Sequence, residues 1–394
     1  MECDVVFEGG GAKGIALVGA WEEFLAQGYS AGRILGTSAG AIMAALVAAG
    51  YTVGEMTAAL TETENGKHVF AGFLGTPPAA TAAEIEASAI ADFLHDLDLP
   101  VVGGVFEANL DRQLLRAFAR HPTFPHLYSF VERGGWYTAD RFLSWLQAKL
   151  DAPHPDGRPR GYSGMTLAEF FAATQVELSL IASDVSASRM LVLNHNTAPG
   201  CPLVWAVRMS MSIPLLWQEV IWEAAWGDYR GRPMTGHAVV DGGLLSNFPI
   251  ELFISDLPHV VAAVGPQTGA PVVGLLIDEA LPLPSRPDAF LPGVAVGELR
   301  TVQRLQRLVD TATTAHDKMV IEAFEDWVVR LPAHGYGTTE FDMSEARRNA
   351  LLEAARAATR RQLTAHPPRH RAAGLVNPTA QASANRVAQA ILNR

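Results

Sequence analysis

The chain has 394 residues, 49% of them hydrophobic and 18% charged, enough to bury a large core as one main domain with an appendage. Its net charge of −11 argues against non-specific nucleic-acid binding, which needs a basic surface to displace counterions, and its two cysteines, Cys3 and Cys201, exclude a disulfide framework or a Cys-x-x-Cys metal site. The N-terminal Met1-Glu2-Cys3-Asp4 lacks a basic region followed by a long apolar one, and the longest small-apolar run, Ala39 to Gly50, is too short to span a bilayer. The expectation is a soluble cytoplasmic protein, although an effector exported without a signal by a dedicated machine would share these features.

Asp4-Val5-Val6-Phe7-Glu8 reads as a short strand that runs into Gly9-Gly10-Gly11-Ala12-Lys13-Gly14. Apolar residues at 15, 17, 18, 21, 24 and 25 then mark a helix, and a second strand follows at Arg33-Ile34-Leu35, which together predict a β-α-β unit and a parallel sheet. Gly9, Gly11 and Gly14 satisfy the dinucleotide fingerprint Gly-x-Gly-x-x-Gly, so a nucleotide-binding module is one reading. That fingerprint calls for an acidic residue at the end of the second strand, where this chain has Gly36-Thr37-Ser38. Lys13 is followed by glycine rather than Ser or Thr, which disfavours a P-loop. Successive glycine amides at a strand end can also form a nest of N–H donors for an oxyanion.

Gly36-Thr37-Ser38-Ala39-Gly40 lies between that second strand and a small-residue helix, Ala41 to Ala49. Gly-x-Ser-x-Gly in a strand-to-helix turn is a nucleophile elbow, in which glycines permit the sharp turn and the serine stands over a helix N-terminus. From Tyr51 to about Asp151 the pattern is mostly helical. Thr81-x-x-Glu84 forms a capping box ahead of Ile85, Ile90, Phe93, Leu94 and Leu97, and Phe106, Leu110, Leu114 and Phe118 repeat every four residues. An insertion there is suited to a lid or acyl-chain pocket, or to plain helical packing.

Strands are predicted at Val176–Ile181 and Met190–Leu193, then a helix over Leu203–Met211 that stops at Ser212-Ile213-Pro214. Trp217, Trp222 and Trp226 follow, suited to core packing or to lipid contact. His237 to Val240 forms a strand ending in Asp241-Gly242-Gly243, which places an aspartate at the C-terminal edge of the sheet. Val260–Val264 and Val272–Ile277 are expected to extend that sheet. Four prolines between Ala280 and Pro292 suggest a linker; beyond it Val302, Leu305, Val309, Ala312, Met319, Ala323 and Trp327 mark one face of a long helix. Asp342-x-x-Glu345 is expected to cap an arginine-rich helix, and Thr364 to Ala384 to be loosely ordered. From Met343 onward nine arginines face two glutamates, so this tail carries +7 and the remainder −18; the tail would sit on an anionic membrane, on the acidic body, or simply in solvent.

Together, Gly9 to Gly14, Gly36 to Gly40, Arg208-x-Ser210-x-Ser212-Ile213-Pro214, and Asp241-Gly242-Gly243 with Asn247-Phe248-Pro249 resemble the patatin-like phospholipases in order and spacing, over roughly Val5 to Asp256. The resemblance implies a three-layer α/β/α sandwich with a mainly parallel central sheet, carrying here a helical insertion and a helical C-terminal extension. The expected division is a catalytic domain over 1–284 and an arginine-rich region over 285–394. It further implies hydrolysis of lipid acyl esters by a Ser-Asp dyad, with Ser38 as nucleophile, Asp241 as its base, and amides among Gly9, Gly10, Gly11 and Ala12, with Ala39, as the oxyanion hole. Gly14, Gly36, Gly40, Gly242 and Gly243 complete the motifs. No metal or other cofactor is needed. The implied partners are a phospholipid or other acyl-ester lipid at a membrane surface and, as for some family members, a protein activator. Lys13 would either attract a phosphate headgroup or balance Glu8 or Asp4. The rival hydrolase reading, a Ser-His-Asp triad, needs a histidine after the acid, with His259, His316 and His334 as candidates. A dormant scaffold that keeps the motifs without activity is a further reading.

Overall fold

A computed structural model of the chain describes residues 1–64, 67–96, 119–283, 324–338, 340–370 and 378–392. Strand β1 (Glu2–Phe7) leads through the glycine turn into α1 (Ile15–Ala26), and β2 (Ser30–Thr37) leads through the elbow into α2 (Ala39–Ala48). The insertion holds α3 (Val53–Leu60), the small strands β3 (Thr63–Glu64) and β4 (Lys67–His68), α4 (Ala82–Glu86), α5 (Ala89–Asp96), α6 (Phe124–Glu132), β5 (Gly135–Tyr137) and α7 (Asp140–Asp151). After α8 (Leu167–Thr174) come β6 (Leu178–Asp184), β7 (Arg189–Leu193), α9 (Leu203–Ser210), β8 (Leu215–Trp217), β9 (Val220–Ile221), β10 (Ala238–Asp241), α10 (Pro258–Val264) and β11 (Val272–Asp278). The C-terminal region supplies β12 (Val328–Pro332), α11 (Glu345–Ala365) and α12 (Pro378–Leu392).

The main sheet runs β12-β11-β1-β2-β6-β10-β9, with β7 also paired to β6. From β12 to β6 every pairing is parallel, whereas β7, β10 and β9 join antiparallel. Alternate strand residues face opposite ways, as the pleat requires. Val5, Phe7, Ile34, Leu180, Val273 and Leu275 enter a core shared with α1, α2, α9 and α11, while Val6, Leu35, Ile181 and Leu276 enter a second core with Phe248, Phe253, α10 and α12. Both faces of the sheet are therefore covered, which makes the three-layer α/β/α sandwich that the resemblance implied and explains why its strands read as continuous apolar runs.

Several sequence expectations change. Val260–Val264 is not a strand but the body of α10, which begins at Pro258; a short apolar run bounded by a proline fits either element, and proline is well suited to a first helical turn. Trp327 lies in a 3-10 turn rather than on a long helix, and the next five residues form the edge strand β12 beside β11. Val302, Leu305, Val309, Ala312, Met319, Ala323, His316 and most of the proline-rich stretch lie outside the described residues, as do Leu97, Phe106, Leu110, Leu114 and Phe118. The cap of α11 is Ser344, whose side chain accepts from the Arg347 N–H, not Asp342. Residues 378–384 open α12 rather than being loosely ordered. The Thr81/Glu84 capping box forms on both sides, but Phe93 is 66% exposed instead of packed.

The basic tail rests on the acidic body. Arg356 reaches Glu22 at 2.6 Å and Arg360 reaches Glu23 at 2.6 Å, which fastens α11 along α1. The hydrogen bond from Arg360 holds the Glu23 carboxyl below its ordinary value of 4.5. A depressed carboxylate contributes stability above its unfolded value and loses it as pH falls through the folded one. Because Arg360 is largely exposed, solvent screening keeps the contribution small. Arg360→Ala is expected to lower urea stability slightly at pH 7, with the gap to wild type closing as pH falls below 4.5 through the lowered Glu23 value; urea titrations at neutral and acid pH check it.

Candidate active site

The elbow between β2 and α2 is built by close backbone approach. A Cβ at Gly36 would lie 2.3 Å from the Gly40 carbonyl oxygen, and one at Gly40 would lie 2.3 Å from that of Phe7, so only glycine fits at either place. Between them Ser38 is held at φ 54° and ψ −121°, a conformation that L-residues rarely adopt and that aims its side chain off the turn. Its N–H donates to Ser210 Oγ at 3.0 Å, and Ser210 Oγ donates to the Ile181 carbonyl at 2.5 Å.

Asp241 arrives from the far side of β6, at the end of β10. Its backbone N–H donates to the Ser212 carbonyl at 2.9 Å, and its Oδ1 accepts from the Gly243 N–H at 2.8 Å. The other oxygen, Oδ2, accepts from Ser38 Oγ at 2.6 Å, and both residues are buried. Residues 203 positions apart are thus joined directly, with no histidine between them.

The motif after α9 explains the alignment. Ser210 braces the elbow, Ser212 braces the strand end bearing Asp241, and buried Arg208 donates to Ser212 Oγ and, at 2.8 Å, to the Gln218 carbonyl. Burial lowers the Arg208 guanidinium to about 10, which still leaves it charged at neutral pH. One turn therefore fixes both members of the Ser38–Asp241 pair.

The glycine turn is more occupied than its sequence suggests. The Gly9 N–H donates to the Asn247 carbonyl at 3.2 Å, and Asn247 Nδ2 returns a bond to the Gly9 carbonyl at 2.8 Å. The Ala12 N–H donates to the Thr338 carbonyl at 2.8 Å. Gly9 and Ala12 are thereby removed from the expected set of oxyanion donors, because their amides are already spent. The Gly10 and Gly11 amides make no such bond among the described residues, and Ala39, first in α2, has no intrahelical acceptor for its own. Lys13 is buried, pairs with Glu279 and donates to Thr338 Oγ1 at 3.0 Å. Asp4 pairs with Arg33 instead, and Glu8 accepts from Ile277 and Asn247.

Ser38 opens into a cavity whose wall includes Ile42, Phe70, Phe73, Trp217 and Phe341. Trp217, Trp222 and Trp226 are all buried; Trp217 Nε1 donates to the Phe73 carbonyl at 3.2 Å while its ring lines the cavity, and Trp222, whose Nε1 donates to the Gly227 carbonyl at 2.8 Å, packs the fold with Trp226. His334 is exposed and meets the Glu279 carbonyl through Nδ1 at 3.0 Å, and His259 stands in the first turn of α10. His316 lies outside the described residues. Among the described residues no group of three or more His, Cys, Asp or Glu is placed to hold a metal ion, and no helix is long and apolar enough to cross a membrane.

A sheet-edge serine on a strained elbow, bonded to a strand-end carboxylate, defines a class of α/β proteins, and the match of residues 5–254 names it: the chain belongs to the patatin-like phospholipase family. Membership places it among lipid hydrolases. A Bacillus subtilis (strain 168) protein, YqhO, described as uncharacterized, is 28% identical over 364 residues, spanning 90% of this chain and 95% of YqhO. Among solved structures, VipD from Legionella pneumophila matches with a TM-score of 0.45 and 14% identity over 93% of this chain and 67% of VipD. The type III effector protein ExoU matches with a TM-score of 0.41 and 17% identity over 93% of this chain and 53% of ExoU, so the chain spans about half of that protein's length.

Proposed function

We propose that the chain is a lipid acyl hydrolase of phospholipase A or lysophospholipase type, which cleaves carboxylic esters through a Ser38–Asp241 dyad and an acyl-serine intermediate. The observation that carries this reading is the direct 2.6 Å bond from Ser38 Oγ to Asp241 Oδ2 beside an apolar cavity. A serine hydroxyl is a poor nucleophile until a neighbour takes its proton, and Asp241 lies within reach to do so. As Oγ attacks the ester carbonyl, the Gly10 and Gly11 amides with that of Ala39 receive the developing oxyanion, each well-aimed donor contributing about 3 kcal/mol. The leaving alcohol takes the proton from Asp241, and water then hydrolyses the acyl-Ser38 ester with Asp241 again as base.

No metal or cofactor enters these steps. The substrate is a phospholipid or other acyl-ester lipid met at a membrane surface by a peripherally bound cytoplasmic protein, with a protein activator as a second partner and no role for nucleic acid. Residues 1–284 carry the chemistry, and 285–394 complete the sheet and part of the cavity wall.

The test is covalent labelling with a fluorophosphonate probe. The wild type is expected to be labelled at one residue and Ser38→Ala not at all, with loss of ester hydrolysis in the same variant. Labelling that persists in Ser38→Ala would put the nucleophile elsewhere. Defined panels of phospholipid, lysophospholipid and triacylglycerol then resolve the lipid class.

A further inference from the structure

Three polar side chains outside the motifs share the otherwise apolar cavity with Ser38: Glu340, His68 at the end of β4, and Arg348 in the first turn of α11. Arg348 lies beyond the family-matched span of 5–254. Both ring nitrogens of His68 are shut off from solvent without a hydrogen-bond partner, and so is Nε of Arg348. Among the described residues the guanidinium makes one bond, from Nη1 to the Met343 carbonyl at 2.6 Å. Glu340, on the same wall, does not neutralise it: its oxygens accept from Arg347 at 2.8 and 3.0 Å and from the Gly337 N–H at 3.2 Å.

A buried donor or acceptor left without a partner is costly, so three such nitrogens on two residues lining one cavity are poorly explained by folding alone. Burial and the Arg348 charge lower the His68 pKa, which keeps the imidazole neutral with one N–H to donate. Once the wall shifts to admit a ligand, Arg348 supplies a cationic N–H and His68 one imidazole N–H, the other ring nitrogen remaining an acceptor. Phosphate matches this pair better than a carboxylate, because its several oxygens can meet donors from two separate elements at once.

We propose that Arg348 and His68 form an anion subsite inside the substrate cavity, so that the ester presented to Ser38 carries a phosphate group held by this pair while its hydrocarbon lies along Phe70, Phe73 and Trp217. The proposal deepens the reading of Ser38 as nucleophile, yet the binding it describes needs no turnover. An anion held here also sets selectivity, since a neutral ester of the same length leaves the donors unpaired.

The experiment titrates Ser38→Ala protein, which cannot turn over, with octyl phosphate, 1-octanol and inorganic phosphate by calorimetry. Octyl phosphate is expected to bind at least about tenfold more tightly than either of the others, the effect of one charge-assisted contact joined to a buried chain. Adding Arg348→Gln is expected to remove that preference, adding Arg348→Lys to keep part of it, and adding His68→Phe to reduce it, with thermal melts reporting whether each variant is folded. Equal binding of octyl phosphate and octanol by the Ser38→Ala protein overturns the subsite without reference to any further variant. Inorganic phosphate binding as tightly as octyl phosphate overturns the lipid assignment in favour of free phosphate. A preference that survives folded Arg348→Gln overturns the role of Arg348. Since no arm depends on catalysis, failure of the labelling experiment and failure of this one are separately visible.

Discussion

Asp241→Asn is expected to lower kcat/KM toward a soluble ester by roughly 10² to 10⁴, the range of a general base, with little change in the thermal melt. The fold contacts survive because asparagine keeps one carbonyl oxygen to accept from the Gly243 N–H, and the backbone N–H still donates to Ser212. That same bond fixes the amide's orientation. Its NH2 must then face Ser38, and a donor stands where the acceptor was. The serine hydroxyl loses its proton acceptor although no atom of the turn has moved, so fluorophosphonate labelling of Ser38 should slow along with turnover. An Asp241→Asn protein that keeps turnover within a few-fold of wild type would show that another group takes the proton.

The pairing of Ser38 with Asp241 was legible because each lies in a turn whose chemistry is local. Gly36 and Gly40 report a backbone that no side chain can enter, and Asp241-Gly242-Gly243 reports a strand end freed to turn. Arg208, Ser210 and Ser212 were visible only as part of a family pattern; that one serine braces the elbow and the next braces Asp241 depends on β6 lying between them in space. The oxyanion set was misjudged for the same reason. Nothing within Gly9 to Ala12 reveals that Asn247 and Thr338, more than 230 positions away, consume two of the four amides.

Period-based reading failed where short apolar runs fit two elements. Val260–Val264 has the composition of a strand but follows a proline at a helix start, and Val328–Pro332, just past a helical pattern that ended at Trp327, was assigned no element. The second error hid more than an edge strand. Once β12 joins the sheet, the segment after it must cross the glycine turn, which brings Thr338 onto Ala12 and Phe341 and Arg348 into the cavity. A histidine in an insertion and an arginine in a basic tail carry no signal of a shared site until that crossing is known.

Arg33→Met is expected to destabilise the protein by about 3 to 5 kcal/mol, the cost of leaving a buried partner charge uncompensated. Arg33 and Asp4 lie in the first half of β2 and β1, toward the opposite end of the strands from the elbow, and are nearly inaccessible at 6% and 2% of side-chain exposure. The guanidinium bonds Asp4 Oδ2 at 2.5 Å and the Pro266 carbonyl at 3.0 Å, and lies over the Phe253 ring at 4.5 Å. Methionine refills the volume and keeps contact with Phe253, but among the described residues Asp4 retains only the residue-33 backbone N–H at 3.2 Å and the Thr268 hydroxyl at 3.3 Å. Urea unfolding followed by circular dichroism measures the loss. The double variant Asp4→Leu/Arg33→Met should recover most of it, because replacing a buried pair with apolar groups removes the desolvation cost along with the attraction. A single variant as unstable as the double would mean that the guanidinium acts by packing alone. Activity per folded molecule should be unchanged in Arg33→Met, the reverse of Asp241→Asn, because the sheet carries its stabilising charge pair at one end of its strands and its reactive one at the other.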